Sequence, residues 1–260
     1  MRSIAFINQK GGVGKTTSTA NVGACLAALG KKVLLIDLDP QANLSIHFGV
    51  NVQGKDSSVY HLMCGKKKAS EVLIKTSVSG LDIIPSDIDL ASAEVELVNT
   101  VGRETIVKFY IEEMLDMYDY VLIDCPPSLG LLTLNALTVA NEIFIPLQTE
   151  FFALQGVSKL LQTFDVIKKR LNSKLEITGI IPCMYDSRTK LGQAVLDKIK
   201  EYFEDKVFAT NIRKNIKLSE STSHGMPITE YAPESNGALD YQALTKEIIA
   251  QEEKYLKGAA

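Results

Sequence analysis

The chain has 260 residues, 46% of them hydrophobic, and a formal net charge of −3. That size predicts one full core rather than two independent domains, and the slightly acidic total excludes a polyanion partner held by net charge alone. No run of about 18 uncharged apolar residues and no basic leader with a cleavage site occurs, so a cytoplasmic protein is expected.

In chain order, residues 3–8 (SIAFIN) predict a first buried strand, because the apolar run is continuous rather than alternating. A helix is expected over 16–29, closed by Gly30, and a second strand over 32–37 (KVLLID). Residues 50–80 read as irregular and polar, with 65–70 (GKKKAS) a solvated turn or helix start. Residues 81–85 (LDIIP), 120–125 (YVLIDC), 142–147 (EIFIPL) and 176–182 (EITGIIP) predict further strands. Helical segments are expected at 105–117, 154–171, 190–204 and 237–257. The alternation predicts a three-layer α/β fold, a mostly parallel sheet flanked by helices, as a single domain over 1–260. The first strand begins at once, so no winged helix-turn-helix is expected ahead of it. Cys25, Cys64, Cys125 and Cys183 are widely separated and the histidines few, which predicts neither disulfides nor a zinc site.

The chemistry concentrates at 9–17, QKGGVGKTT. Between a strand and a helix, Gly11, Gly12, Val13 and Gly14 predict a loop whose N–H groups wrap a phosphate at the positive end of the following helix. Lys15 is expected on the β and γ phosphates, Thr16 on Mg2+, and Thr17 near the α phosphate. The general motif wants glycine where Gln9 stands, and Lys10 is one lysine more than such a loop needs. Asp37 and Asp39 (LLIDLDP) and Asp124 (YVLIDCPPSLG) close buried strands, where open α/β sheets bind ligands. If the strand persists, alternation points Asp37 and Asp39 the same way, one to manage the metal and one the attacking water; the alternative is that one merely caps the next segment.

KGGVGKTT, LLIDLDPQAN, VLIDCPPSLG, IPLQTEFFALQG, YDSRTKLG and KLSESTSHGMPI together resemble the ParA-type partition ATPases, most closely the short Soj branch of the deviant Walker class that also holds MinD and the nitrogenase iron protein. The resemblance runs from residue 3 to about 250 and implies a P-loop nucleoside triphosphatase that takes ATP or ADP with Mg2+. It implies a homodimer sandwiching two ATP molecules, in which Lys10 crosses to the partner's phosphates while Lys15 serves its own. Thr16, Asp37 and Asp124 would hold Mg2+, and Asp39 would position water; Lys10, Lys15 and Asp39 make the catalytic set. Asn43 belongs to the same switch-like segment.

The resemblance further implies non-specific binding of double-stranded DNA by the dimer, stimulation by a ParB-like centromere-binding partner, and association with the nucleoid for chromosome or plasmid segregation. Residues 184–217 carry eight basic against five acidic residues. The DNA contacts carried over are Arg188 and Lys217, with Lys190, Lys198, Lys200, Lys206 and Lys214 as additions. Relatives often read proline-arginine-asparagine at Arg213, Lys214 and Asn215, and alanine-proline-serine at Ser221, Thr222 and Ser223. The adenine contacts are therefore open, and the extra charge of Arg213 would favour DNA. A MinD-like membrane switch needs an amphipathic C-terminal helix that IIAQEEKYLKGAA does not supply, so no stable membrane association is expected. Other cargo-positioning ATPases, for flagellar or secretion machinery, use the same engine and stay open.

Overall fold

A computed structural model describes residues 1–150 and 157–258. The elements are β1 (Arg2–Phe6), α1 (Lys15–Ala28), β2 (Val33–Asp37), α2 (Asn43–His47), α3 (Val59–Met63), α4 (Ala69–Val72), β3 (Ile74–Lys75), β4 (Leu81–Ile84), α5 (Leu90–Glu96) and α6 (Ile106–Leu115). They continue with β5 (Tyr120–Asp124), α7 (Leu131–Val139), β6 (Glu142–Gln148), α8 (Val157–Arg170), β7 (Glu176–Tyr185), α9 (Lys190–Phe203), β8 (Ile212–Arg213), α10 (Ile216–Ser223), α11 (Ile228–Tyr231) and α12 (Asn236–Gly258). One eight-stranded sheet runs β3-β4-β2-β5-β1-β6-β7-β8, parallel except for the β3–β4 edge pair.

Each central strand buries both faces, because side chains alternate across the sheet and helices cover both sides. Ala5, Leu34, Ile36, Val121, Ile123 and Ile143 face one core, with α3, α6 and α7 packed over it. Ile4, Phe6, Val33, Leu35, Leu122 and Phe144 face the other, under α1 and α12. The chain leaves β1 toward β2 on one side and reaches β6 on the other, so β1 lies where the winding reverses, and its loop emerges at the carboxyl edge of the sheet.

The expected α/β architecture is the observed one, with local differences. Residues 50–80 are not wholly irregular: Val59, Tyr60, Leu62 and Met63 bury one short helix, and β3 pairs antiparallel with β4. The helix expected over 154–171 is seen as Val157–Arg170, and 154–156 lie outside the described residues. Helix α7 has no counterpart in the sequence reading; seven of its nine residues are buried, so its pattern lacks the polar face by which an amphipathic helix is recognised. Its start is held by Glu94, whose carboxylate accepts the Leu131 N–H at 2.9 Å. All four cysteines are free. Among the described residues no helix is long and apolar enough to cross a membrane.

His47 is 1% exposed, and burial pulls its imidazole down to about 4. The unfolded ring gains its proton as pH falls below ~6.5, whereas the folded ring resists until near 4. The His47 contribution to stability is therefore full above the unfolded value and is lost as pH drops toward 4. At about 1.4 kcal/mol per pH unit this is about 3 kcal/mol. Urea unfolding at pH 7 and pH 4 should show His47→Asn losing about that much less stability than the wild type on acidification. An equal loss in both would disprove the assignment.

Candidate functional site

The loop after β1 is braced before it turns. Asn8 donates its side-chain amide to the Pro146 carbonyl at 2.7 Å, while its Oδ1 accepts the Lys10 N–H at 3.0 Å. This residue was not singled out in the sequence; its only signal is a polar residue ending an apolar strand. The turn closes with Gly12 at φ 72° and Gly14 at φ 96°, left-handed values that suit glycine. A side chain at Gly14 would also approach Cys183 Sγ at 3.5 Å. Helix α1 begins at Lys15, so its unpaired N–H groups and positive dipole end face the loop. Val13 is buried and anchors the loop, while Gly11 and Gly12 are exposed.

The two lysines lie in different surroundings. Lys15 is 7% exposed and curls back so that Nζ donates to the Lys10 carbonyl at 3.4 Å. The Lys10 side chain is half exposed at the mouth, where Nζ donates to Gln148 Oε1 at 2.6 Å and to Glu150 Oε2 at 3.2 Å. A cation at the surface that is held only by exposed partners can be redirected at little cost.

Beneath the loop the register of the sheet brings the carboxylates together. Asp37 and Asp124 are paired positions on β2 and β5, at the strand ends next to Phe6 of β1. Thr16 Oγ1 donates to Asp124 Oδ2 at 2.6 Å, and Asp124 Oδ1 is buried with no hydrogen-bond partner. Burial first, and then the neighbouring Asp37 charge, raise the Asp124 carboxyl well above the usual carboxylate range, against the pull of Thr16 and Lys15. Burial likewise pushes Asp37 up to about 6.

Asp37 and Asp39 do not continue one strand, because β2 ends at Asp37. The Asp37 carboxylate turns to the chain that follows, accepting Ser45 N–H at 2.9 Å, Ser45 Oγ–H at 2.7 Å and Asp39 N–H at 3.2 Å. Asp39 accepts Gln41 N–H at 2.9 Å and is 8% exposed. Asn43 opens α2 with its side chain exposed. Ser45, unmarked in the sequence, is the hub of this segment, because its Oγ also accepts the Ser86 N–H at 3.0 Å.

The residues fit a magnesium nucleotide. An unpartnered buried carboxylate oxygen beside a threonine hydroxyl is a pair of hard oxygen ligands such as Mg2+ takes, with phosphate and water completing the shell. Among the described residues no group of three or more His, Cys, Asp or Glu forms a metal cage of its own. Next to Gly14 and Thr17 a cavity of about 450 Å3 opens between β8 and α10, with Met184, Leu218 and Tyr241 among its lining, large enough for a base.

Of the basic residues expected on DNA, Lys214 lines this cavity, and the others lie in and around α9 and α10. Lys190, Lys198, Lys200, Lys206 and Lys214 are exposed. Arg188 is 87% exposed and bridges Asp186 at 2.8 Å, and Lys217 bridges Glu220 at 2.8 Å. Arg213 is paired as well: its backbone N–H and guanidinium both engage Asp240 of α12, at 2.6 Å for the closest pair, with its side chain 42% exposed.

A glycine-rich loop between β1 and α1, with a helix dipole, a buried lysine and a Thr–Asp pair on the neighbouring strand, defines a P-loop nucleoside triphosphatase. A family model described as an AAA domain matches residues 1–177. The chain is 51% identical over 251 residues to the chromosome-partitioning ATPase Soj of Treponema pallidum, covering 96% of this chain and 98% of that protein. It is 48% identical over 247 residues to the sporulation initiation inhibitor protein Soj of Bacillus subtilis, covering 95% and 98%. A crystal structure of cobyrinic acid a,c-diamide synthase from Mycobacterium smegmatis with bound ATP analogue and magnesium superposes with a TM-score of 0.86 at 36% identity, covering 97% and 96%. The chain belongs to the Soj/ParA family of chromosome-partitioning ATPases.

Proposed function

We propose that the protein is an ATP-dependent dimerising switch for chromosome or plasmid segregation. It binds ATP with Mg2+, pairs with a second copy, holds DNA without sequence preference as that dimer, and resets by slow hydrolysis stimulated by a ParB-like partner. It would work in the cytoplasm on the nucleoid. The observation that carries this reading is the separation of the two lysines, Lys15 buried under its own loop and Lys10 half exposed at the mouth.

Thr16 and Asp124 would hold Mg2+, which when bound offsets phosphate charge. The N–H groups of residues 11–17 and Lys15 orient the triphosphate. Asp39, on the segment that Asp37 and Ser45 hold, positions the attacking water; Asp37, whose carboxylate is taken up by the Ser45 N–H and hydroxyl and by the Asp39 N–H, fixes that segment in place of the Mg2+ contact expected from the sequence. Lys10, released from Gln148 and Glu150, places a second cation on the partner's phosphates, which makes pairing depend on the triphosphate. Arg188, Lys190, Lys198, Lys200, Lys214 and Lys217 supply modest phosphate contacts. Dimerisation doubles them, coupling DNA affinity to nucleotide state.

The test is sedimentation and DNA retention of wild type and Lys10→Ala with no nucleotide, ADP or a non-hydrolysable ATP analogue, over a salt series. Wild type should dimerise and retain duplex DNA only with the triphosphate. Lys10→Ala should bind the nucleotide within about threefold of wild type and remain monomeric, since its partners here are exposed and its loss removes little binding in its own pocket. A triphosphate-dependent dimer in the variant would refute the role of Lys10, and equal retention in all three states would refute the switch.

A further inference from the structure

Helix α2 carries Ser45, which holds Asp37, yet it has only five residues, too few to be stable alone. It also starts from a left-handed alanine, Ala42 at φ 53°, an unfavourable conformation for a residue with a side chain. Its position is imposed by its surroundings: Leu44 and Phe48 are buried in the core that α1 shares, and polar tethers fix it at either end. At one end these are the Ser45 contacts to Asp37 and Ser86. At the other end the tether leaves the sheet and reaches α10: His47 Nδ1 lies 3.0 Å from Thr222 Oγ1.

The roles of the two atoms follow from what else surrounds them. The Thr222 hydroxyl reaches the Leu218 carbonyl at 3.2 Å and can give its single proton to that oxygen. Nδ1 then carries the ring proton and donates to Oγ1, leaving Nε2 as the unpartnered buried acceptor. A ring held this way has no alternative partner, so breaking the bond strands a buried polar group.

The backbones beyond the two side chains also touch. Gly49 and Gly225 both have positive φ, and a side chain at Gly225 would meet Gly49 Cα at 3.1 Å, so two chain turns abut closely and a methyl at Gly225 would press them apart. Just past that contact, Ile228 N–H donates to Asn21 Oδ1 of α1 at 2.8 Å. Thr222 itself lines the cavity beside Gly14 and Thr17.

We infer that His47 and Thr222 are positioning residues: a clamp between α2 and α10 that sets Asp37 and Asp39 relative to the nucleotide's base cavity and makes the hydrolytic segment respond to what occupies that cavity. The inference rests on the ATPase reading above, and it assigns neither residue to the reacting atoms. Among the described residues the one hydrogen-bond partner of the His47 ring is Thr222, so its effect on the carboxylates passes through α2. Lys217 lies in the first turn of the helix whose last turn carries Thr222, so the clamp also joins the hydrolytic segment to an exposed basic residue of α10.

Two measurements on the full chain test it. In nucleotide-free protein, amide exchange of residues 43–48 should speed up roughly tenfold in Thr222→Val, which keeps the shape and removes the hydroxyl, and return to the wild-type rate in Thr222→Ser. At saturating MgATP, Thr222→Val and His47→Leu should each lower kcat about five- to tenfold. His47→Leu should leave ATP affinity within about twofold, and the double variant should fall no further than either single one. Additive losses, a Thr222→Ser protein that behaves like Thr222→Val, or unchanged exchange over 43–48 would each overturn the clamp. Should His47→Leu fail to fold, the Thr222 pair carries both measurements. Absence of wild-type turnover would strike the ATPase reading, while the exchange data would still judge the clamp.

Discussion

Lys15→Ala is expected to abolish nucleotide binding, weakening MgATP affinity at least about a hundredfold by calorimetry. Lys15 is the buried cation of the loop, and Lys10 is turned outward to Gln148 and Glu150, so no second lysine of the same chain replaces it. A charge-assisted contact to phosphate in a water-poor pocket is worth about 3 kcal/mol, which is a factor of roughly a hundred. The fold should survive, because Lys15 makes only one weak bond, to the Lys10 carbonyl at 3.4 Å. Binding within tenfold of wild type would contradict the assignment of the loop. Triphosphate-dependent dimerisation and DNA retention should vanish with it, which separates this variant from Lys10→Ala, where only the later steps are lost.

Asp124→Asn should act in opposite directions on the empty and the loaded protein. The carboxyl is buried, one oxygen has no partner and Asp37 lies on the adjacent strand, so the charged form is disfavoured. A carboxyl raised in the fold binds its proton more tightly there than in the unfolded chain. The Asp124 contribution to the stability of the nucleotide-free fold is therefore fully present below the ordinary carboxylate range and is lost as pH rises through that range and beyond, Asp37 adding to the loss up to about 6; it runs opposite to the His47 contribution, which is lost on acidification. Asparagine copies the neutral acid, can accept the Thr16 bond and does not titrate. At pH 8 the empty variant should exceed wild type by about 2 kcal/mol, or roughly 4–8 °C in Tm, with the gap closing toward pH 4. With ADP present, added Mg2+ should raise the wild-type Tm and leave the variant unmoved. A variant less stable than wild type when empty at pH 8, or one that still responds to Mg2+, would remove Asp124 from the metal site.

These effects arise from groups that the sequence marked to different degrees. The phosphate loop was legible because its requirements are local: glycines free to take positive φ, a lysine and a threonine at fixed offsets, and a strand and helix on either side. Asp124 was legible for the same reason, as a carboxylate ending an unbroken apolar run. Asp37 and Asp39 were legible as acids and not as individuals. β2 ends at Asp37, whose carboxylate is engaged by Ser45, eight residues on, a contact no local pattern marks.

Charge in the C-terminal half can be counted from the sequence but not placed. Arg213 adds to the basic total of 184–217, and its pairing with Asp240 on α12, across 27 residues, is one that no local pattern reveals. Helix α7 escaped notice because burial on all sides removes the polar face from its pattern, and Asn8, Ser45 and His47 because single polar residues carry no periodicity.

The sequence by itself determined the long strands and the amphipathic helices between them, the composition of the phosphate loop and the presence of a carboxylate at the carboxyl end of each of two buried strands. All of these depend on neighbours within a turn or a strand of one another. The tertiary structure alone decided which carboxylate is left with a free oxygen, which lysine faces out, and that α2 is held from both ends. Each of those outcomes turns on sheet register or on hydrogen bonds between residues from eight to 175 positions apart, which are chosen only when the layers close.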